Sequence, residues 1–276
     1  MNRLQIPEAN FQLSGEQLYG DDFTPEEIAV WYRDEQEGYA SLTHDDAQAP
    51  VYLYHSLNSL HGFRNLPDHL FAEVLGVGSA FGEEFTPLRD RIGSLTILDP
   101  SDKFVRDTVH GVPVRYVKPS PSGIMPFQDN AFDLITCFGA LHHIPNVTLV
   151  MAEMFRCLKP GGYALVREPI ISLGDWNHPR AGLTSRERGI PKQYFLQMII
   201  RSGFRIRKQS YCVFPPLTRV ADLFGISPFS NPFITRIDQL FSLLAQWNYR
   251  YHRTTLFQKT APMSLYFVLI KEADEQ

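Results

Sequence analysis

At 276 residues, with 44% hydrophobic and 20% charged side chains, the chain has the composition of an ordinary globular protein and room for one large domain with embellishments. A formal net charge of -4 gives no electrostatic basis for wrapping nucleic acid, and no run approaches the roughly 20 apolar residues that span a bilayer. Cys137, Cys157 and Cys212 are too few and too widely spaced for a disulfide framework or a zinc knuckle, and residues 1–17 lack the basic and apolar regions of a secretion signal, so a soluble cytoplasmic protein is expected.

In chain order, the first 50 residues read as helical and partly exposed. Thr24-Pro25-Glu26-Glu27 supplies an N-cap, a proline at the first helical position and acids in the first turn, ahead of Ile28, Val30 and Trp31. A second helix is predicted from Tyr52 to Phe63, with Leu53, Leu57 and Leu60 on one face. From Phe71 the pattern changes to short apolar runs: strands over Phe71–Leu75, Leu95–Leu98, Val112–Val117, Phe132–Cys137 and Tyr163–Val166. Between the last two, Val147, Val150, Met151, Met154, Phe155 and Leu158 keep the three-four spacing of a buried helix face, which Lys159-Pro160-Gly161-Gly162 stops. Strands alternating with helices imply a parallel sheet with right-handed crossovers. Further on, a loop spans Trp176–Gly189, a helix Pro191–Ser202, a strand Phe204–Val213, proline-broken helices Pro215–Gln258 and a final strand Leu265–Ile270. The last two strands fit a hairpin at one sheet edge, with the helical insertion covering the active site.

Behind the first strand stands Gly76-Val77-Gly78-Ser79-Ala80-Phe81-Gly82, where glycine lets the backbone turn tightly and approach a ligand, and the next helix presents free N–H groups. Asp99 ends the second strand, placed to accept hydrogen bonds from both hydroxyls of a ribose. The loop alone does not separate a nicotinamide cofactor from S-adenosylmethionine, since both carry an adenosine ribose.

Residues 124 to 169 decide between them: Ile-Met-Pro-Phe-Gln-Asp-Asn-Ala-Phe-Asp leads into the fourth strand, Leu-His-His follows it, and Leu-Lys-Pro-Gly-Gly precedes a strand ending Arg-Glu-Pro. This order resembles the central part of class I S-adenosylmethionine-dependent methyltransferases, over about residues 71 to 170. The resemblance implies a Rossmann-like α/β fold, a mostly parallel seven-stranded sheet with helices on both faces. The expected organisation is a 1–65 N-terminal helical extension and a 66–276 methyltransferase domain with its core at 71–170; the first 50 residues and the helical insertion at about 215–258 lie outside the resemblance. Carried over by position, it puts Gly76, Val77 and Gly78 under the methionine and ribose, Asp99 on the ribose hydroxyls, Pro100 beside the adenine, and Phe138 and Gly139 under the sulfonium. Val74 stands where the family has an acid, Ala80 where it has a glycine, and only Ser120 and Ser122 offer side chains to the adenine amino group. Glu83 or Glu84 is the substitute partner for the methionine ammonium.

The sulfonium activates the methyl group by itself, so binding and alignment dominate, with a base needed where the acceptor is a hydroxyl or an amine. His142 and His143 are the candidate catalytic residues, His143 matching the position more regularly histidine in the family and His142 the one chosen for chemistry. No metal is expected, because these histidines lack carboxylate or thiol partners at ligand spacing. The polar stretch from Asp175-Trp176-Asn177-His178 to Ser185-Arg186-Glu187-Arg188-Gly189 reads equally as an acceptor-binding loop or a solvated one, and Trp247, Tyr249, Tyr251 and His252 as pocket lining or packing. The expected acceptor is a small molecule or a glycan, methylated at oxygen, with no nucleic acid and no membrane span. The rival reading is a non-catalytic binding protein or scaffold on the same fold.

Overall fold

The computed structural model describes residues 13–42, 51–174, 180, 183–184 and 186–273. Eight strands form one sheet: β1 (Phe71–Val77), β2 (Ile92–Leu98), β3 (Thr108–Val109), β4 (Val112–Val117), β5 (Phe132–Phe138), β6 (Leu158–Pro169), β7 (Arg205–Cys212) and β8 (Ser264–Ile270), in the order β3-β4-β2-β1-β5-β6-β8-β7. Strands β4, β2, β1, β5 and β6 run parallel; β3 is antiparallel to β4, and β8 to both β6 and β7. The expected seven strands become eight because His110 and Gly111, both at positive φ, close a two-residue hairpin that adds β3. From β1 the chain travels outward to β2 and β4, then returns to the other side of β1 as β5. The crevice at the carboxyl ends of β1 and β5 is therefore a topological switch point, where open α/β sheets take ligands.

The pleat sorts neighbouring residues to opposite faces. Leu75, Ile135, Val166 and Phe267 join one core with helices α3 (Val147–Cys157) and α4 (Lys192–Arg201). Val74, Leu134, Leu165 and Val268 join the other, beneath helix α2 (His55–His61) and the turns around Phe63, Phe85 and Leu88. Helix α1 (Pro25–Leu42) begins with a capping box, in which the Thr24 N–H donates to Glu27 Oε2 at 2.9 Å and the Glu27 N–H to Thr24 Oγ1 at 3.3 Å.

Two expectations fail locally. No α-helix follows the glycine loop: Glu83–Arg91 winds as 3-10 turns with Pro87 inside, which removes a donor that an α-helix there would need. The late insertion, which includes helices α5 (Pro215–Leu223) and α6 (Pro232–Ala245), does not roof the crevice. It packs on β7 and α2 and leaves Leu223, Phe224, Phe233 and Trp247 exposed. Among the described residues no helix is long and apolar enough to cross a membrane.

Candidate active site

A cleft of about 1000 Å3 opens at the switch point. Its floor is Val77 and Gly78 from the β1 exit, Leu98, Asp99 and Pro100 from the β2 exit, and Gly139 and Ala140 from the β5 exit. Gly78 has φ +64, and a Cβ there would come 2.4 Å from that of Ala140, so the two strand exits meet this closely only through glycine. Asp99 is 5% exposed; its Oδ2 accepts the Ala80 N–H at 3.1 Å and its Oδ1 the Ser101 N–H at 3.0 Å. Both oxygens keep lone pairs to spare, the pair of acceptors that the two hydroxyls of a vicinal diol can donate to. Burial raises this carboxyl, and the two backbone N–H groups pull it back down.

Two of the residues carried over from the family pattern do not line the cleft. Gly76 is packed beneath the loop, where a Cβ would stand 2.3 Å from Ser79 Oγ. Phe138 points into the opposite core, against Phe63 and Tyr266. Glu84 is not on the cleft wall either. It is buried, accepts the Ser79 hydroxyl at 2.5 Å, and is pushed up to about 7 mainly by burial. Glu83 lies outside against Arg106 and His110. Ser120 reaches the cleft, with Ser122 bound to it hydroxyl to hydroxyl at 2.8 Å. Ala80, in the place of the expected glycine, is held at φ +45.

The far end of the cleft belongs to the histidine turn. His143 lines it, whereas His142 lies behind with 8% exposure, which reverses the expected order of the two. Their rings are 4.1 Å apart. His142 Nδ1 is 2.7 Å from Glu168 Oε2, and its Nε2 is 3.3 Å from Glu187 Oε1. Burial alone would lower this imidazole, but the two carboxylates outweigh it and lift it to about 9, so it is an imidazolium at neutral pH. Burial raises the Glu187 carboxyl, but the hydrogen bond to His142, the two neighbouring imidazoles and the Thr184 N–H together outweigh it and hold it down at about 2. Glu168 also fixes the turn itself, accepting the Ala140 and Leu141 N–H groups, each at 2.9 Å. His143 Nδ1 is 2.8 Å from Glu35 Oε2, and burial together with the charge on His142 lowers its basicity.

Glu35, with Tyr32 and Gln36, comes from helix α1, which forms a wall of the cleft that sequence reasoning missed. Glu35 also accepts the Thr184 hydroxyl at 2.6 Å and the Arg186 N–H at 3.1 Å, tying α1 to the loop before Arg188. Trp31, one turn earlier, is fully buried and donates its Nε1–H to the His143 carbonyl at 2.8 Å. An acid four residues after a buried tryptophan, on the same helix face, is the one signal that could have flagged this wall. The sequence expectation of no metal rested on the histidines' having no carboxylate partners, and the fold supplies three. His142, His143 and Glu187 each place a donor atom within 4.8 Å of the others, although the His142–Glu187 contact is already an ion pair.

Of the polar loop, Asp175 to His178 and Ser185 lie outside the described residues; Arg186, Glu187 and Arg188 all brace the turn or α1. Tyr249 and Tyr251 donate their hydroxyls to the Ile170 and Gly189 carbonyls, His252 pairs with Ser172, and Trp247 lies exposed at the surface, so none of the four lines the cleft.

A methyltransferase-domain family model matches residues 75–166. The ubiquinone/menaquinone biosynthesis C-methyltransferase UbiE of Shewanella pealeana is 32% identical over 106 residues, 35% of this chain and 42% of that protein. A ubiquinone biosynthesis O-methyltransferase of Xanthomonas oryzae is 30% identical over 142 residues, 48% of this chain and 59% of that protein. In both, the chain spans less than two thirds of the relative's length. A crystal structure of an S-adenosylmethionine-dependent methyltransferase from Mesorhizobium loti matches in fold with a TM-score of 0.50 at 16% identity, over 74% of this chain and 93% of that one. Motif order, strand topology and domain model coincide over residues 75–166, and this part of the chain matches a methyltransferase domain in sequence and fold.

Proposed function

We propose that the protein transfers the methyl group of S-adenosylmethionine to an oxygen of a small-molecule or sugar-like acceptor, in a soluble cytoplasmic setting. The observation that carries this reading is the cleft itself: a ribose-type carboxylate, Asp99, at one end and a carboxylate-backed imidazole, His143, at the other. When bound, the cofactor supplies an electrophilic methyl on a sulfonium and leaves as a neutral thioether. Among the residues that line the cleft, Asp99 would take the ribose hydroxyls, Pro100 and Ser120 would flank the adenine, and Gly78 and Gly139 would leave room for the methionine and the sulfonium. His143 gives its Nδ1–H to Glu35, which leaves Nε2 as the basic atom, and its lowered pKa keeps it neutral and able to accept a hydroxyl proton as the new carbon–oxygen bond forms. His142, charged and clamped by Glu168 and Glu187, holds the turn that presents His143 to the cleft. Relatives named as C-methyltransferases and as O-methyltransferases both match, and the carboxylate-backed imidazole at the end of the cleft suits a hydroxyl acceptor.

The test is formation of S-adenosylhomocysteine with a panel of phenolic, catecholic and sugar acceptors, for the wild type and His143→Ala. Turnover should fall about 100-fold or more in the variant while cofactor affinity holds, the usual weight of a general base. Unchanged turnover would remove His143 from the chemistry.

A further inference from the structure

Beside the cleft, on the far side of Gly139, lies a second polar site that the methyl-transfer reading does not use. Arg167 stands near the carboxyl end of β6, in register with Phe138 on β5 and Tyr266 on β8. The residue is 8% exposed. Its guanidinium carbon lies 4.0 Å from the centre of the Tyr54 ring and 5.7 Å from that of Phe138, and Nη1 is buried without a hydrogen-bond partner among the described residues. Around it are further orphans. The Tyr266 hydroxyl and both ring nitrogens of His61 are buried and without a hydrogen-bond partner among the described residues, as is Asn58 Oδ1.

Two carboxylates are near enough to matter, and neither takes the charge. Glu84 spends its Oε1 on Ser79 and Thr136, and Glu168 is committed to His142 and the turn N–H groups. An unpaired cation under aromatic rings costs several kcal/mol unless something supplies an anion. The nearest point of the cleft is Gly139, a floor residue: a Cβ there would stand 3.9 Å from Arg167 Nη2. We infer that Arg167 anchors an anion subsite at the carboxyl edge of the sheet, taking a carboxylate of a molecule bound in the cleft, with the Tyr266 hydroxyl as a further donor. The planar guanidinium fork matches a carboxylate bidentately, and one cation in a mostly aromatic setting suits a single negative charge. The inference rests on the cofactor reading above, and the carboxylate has two sources: the methionyl end of the cofactor or an acidic group on the acceptor.

The experiment is calorimetry of S-adenosylhomocysteine and of 5′-methylthioadenosine, which lacks the amino-acid end, on the wild type, Arg167→Met and Arg167→Lys. If the cofactor is the source, Arg167→Met loses at least tenfold in affinity for S-adenosylhomocysteine and keeps its affinity for methylthioadenosine, with Arg167→Lys in between. If the acceptor is the source, both nucleosides bind Arg167→Met as they bind the wild type, but acetate raises the melting temperature of the wild type and not of the variant. That titration is run with and without S-adenosylhomocysteine. Unchanged nucleoside binding together with an unchanged acetate response overturns the subsite. Failure of both nucleosides to bind the wild type overturns the cofactor reading instead and leaves the acetate response to decide the subsite.

Discussion

The cleft is flanked by two buried arginines whose surroundings differ. Arg188, with no exposed surface, donates to the carbonyls of Tyr19, His142, Ile144 and Pro145 at 2.9 to 3.1 Å, so it pulls the histidine turn and the N-terminal segment together. Arg167, nearly as buried, has aromatic rings for company and an unpaired Nη1. A buried cation whose donors are all used is a structural brace. One whose donors are idle is matched to something that arrives later.

The sharpest way to break this comparison is to replace each arginine by methionine and follow urea unfolding. Arg188→Met should lose about 3 kcal/mol or more, since several buried carbonyls are left without donors. Arg167→Met should cost less than about 1 kcal/mol or stabilise the fold, because a buried charge without a partner is removed. Equal losses in both would erase the distinction.

The same two regions should respond to pH with opposite sign. His61, fully buried beside Arg167, is pushed down to about 3 by burial, with the charges of Lys208 and Arg167 adding to the effect. Below about pH 6.5 the unfolded chain takes a proton that the folded one refuses, so stability falls by about 1.4 kcal/mol per pH unit toward pH 3. His142 is lifted to about 9, and its contribution is present in full below about pH 6.5 and drains away as pH rises toward 9. Unfolding measured from pH 4 to 9 should show the acid limb flattened by His61→Leu and the alkaline limb flattened by Glu187→Gln. An acid limb unaltered in His61→Leu would contradict the assignment.

The smallest expected effect concerns the cofactor loop, which belongs to neither arginine. Ala80 at φ +45 occupies a conformation that glycine adopts without strain, so Ala80→Gly should be neutral or stabilising by up to about 1 kcal/mol in thermal unfolding. A clear loss of stability would mean that the Ala80 methyl packs more than it strains.

How much of this was legible in the sequence follows from distance along the chain. Strands β1, β2, β4, β5 and β6 and the buried face of α3 rest on local periodicity, and the structure forms them there; Val77, Gly78, Asp99, Pro100 and Gly139, which the family resemblance assigns to the cofactor, line the cleft. What failed depends on contacts between remote segments. Glu35 meets His143 across 108 positions, and Arg188 reaches Tyr19 across 169. Local patterning carries no trace of such pairs, so a helix that walls the cleft read as an exposed extension. Gly76 and Phe138 were misplaced for a related reason. The family pattern fixes their position along the strand, but the pleat decides which face they show.

The central claim is that the cleft between Asp99 and His143 holds S-adenosylmethionine, and calorimetry on the purified protein tests it most directly, with NADH as the control ligand. S-adenosylmethionine and S-adenosylhomocysteine should bind at about micromolar affinity and NADH should not, with a loss of tenfold or more in Asp99→Ala, as expected for two hydrogen bonds to a carboxylate. Absence of binding by either adenosyl compound, or equal affinity in wild type and Asp99→Ala, would contradict it and favour a scaffold that keeps the fold without the cofactor.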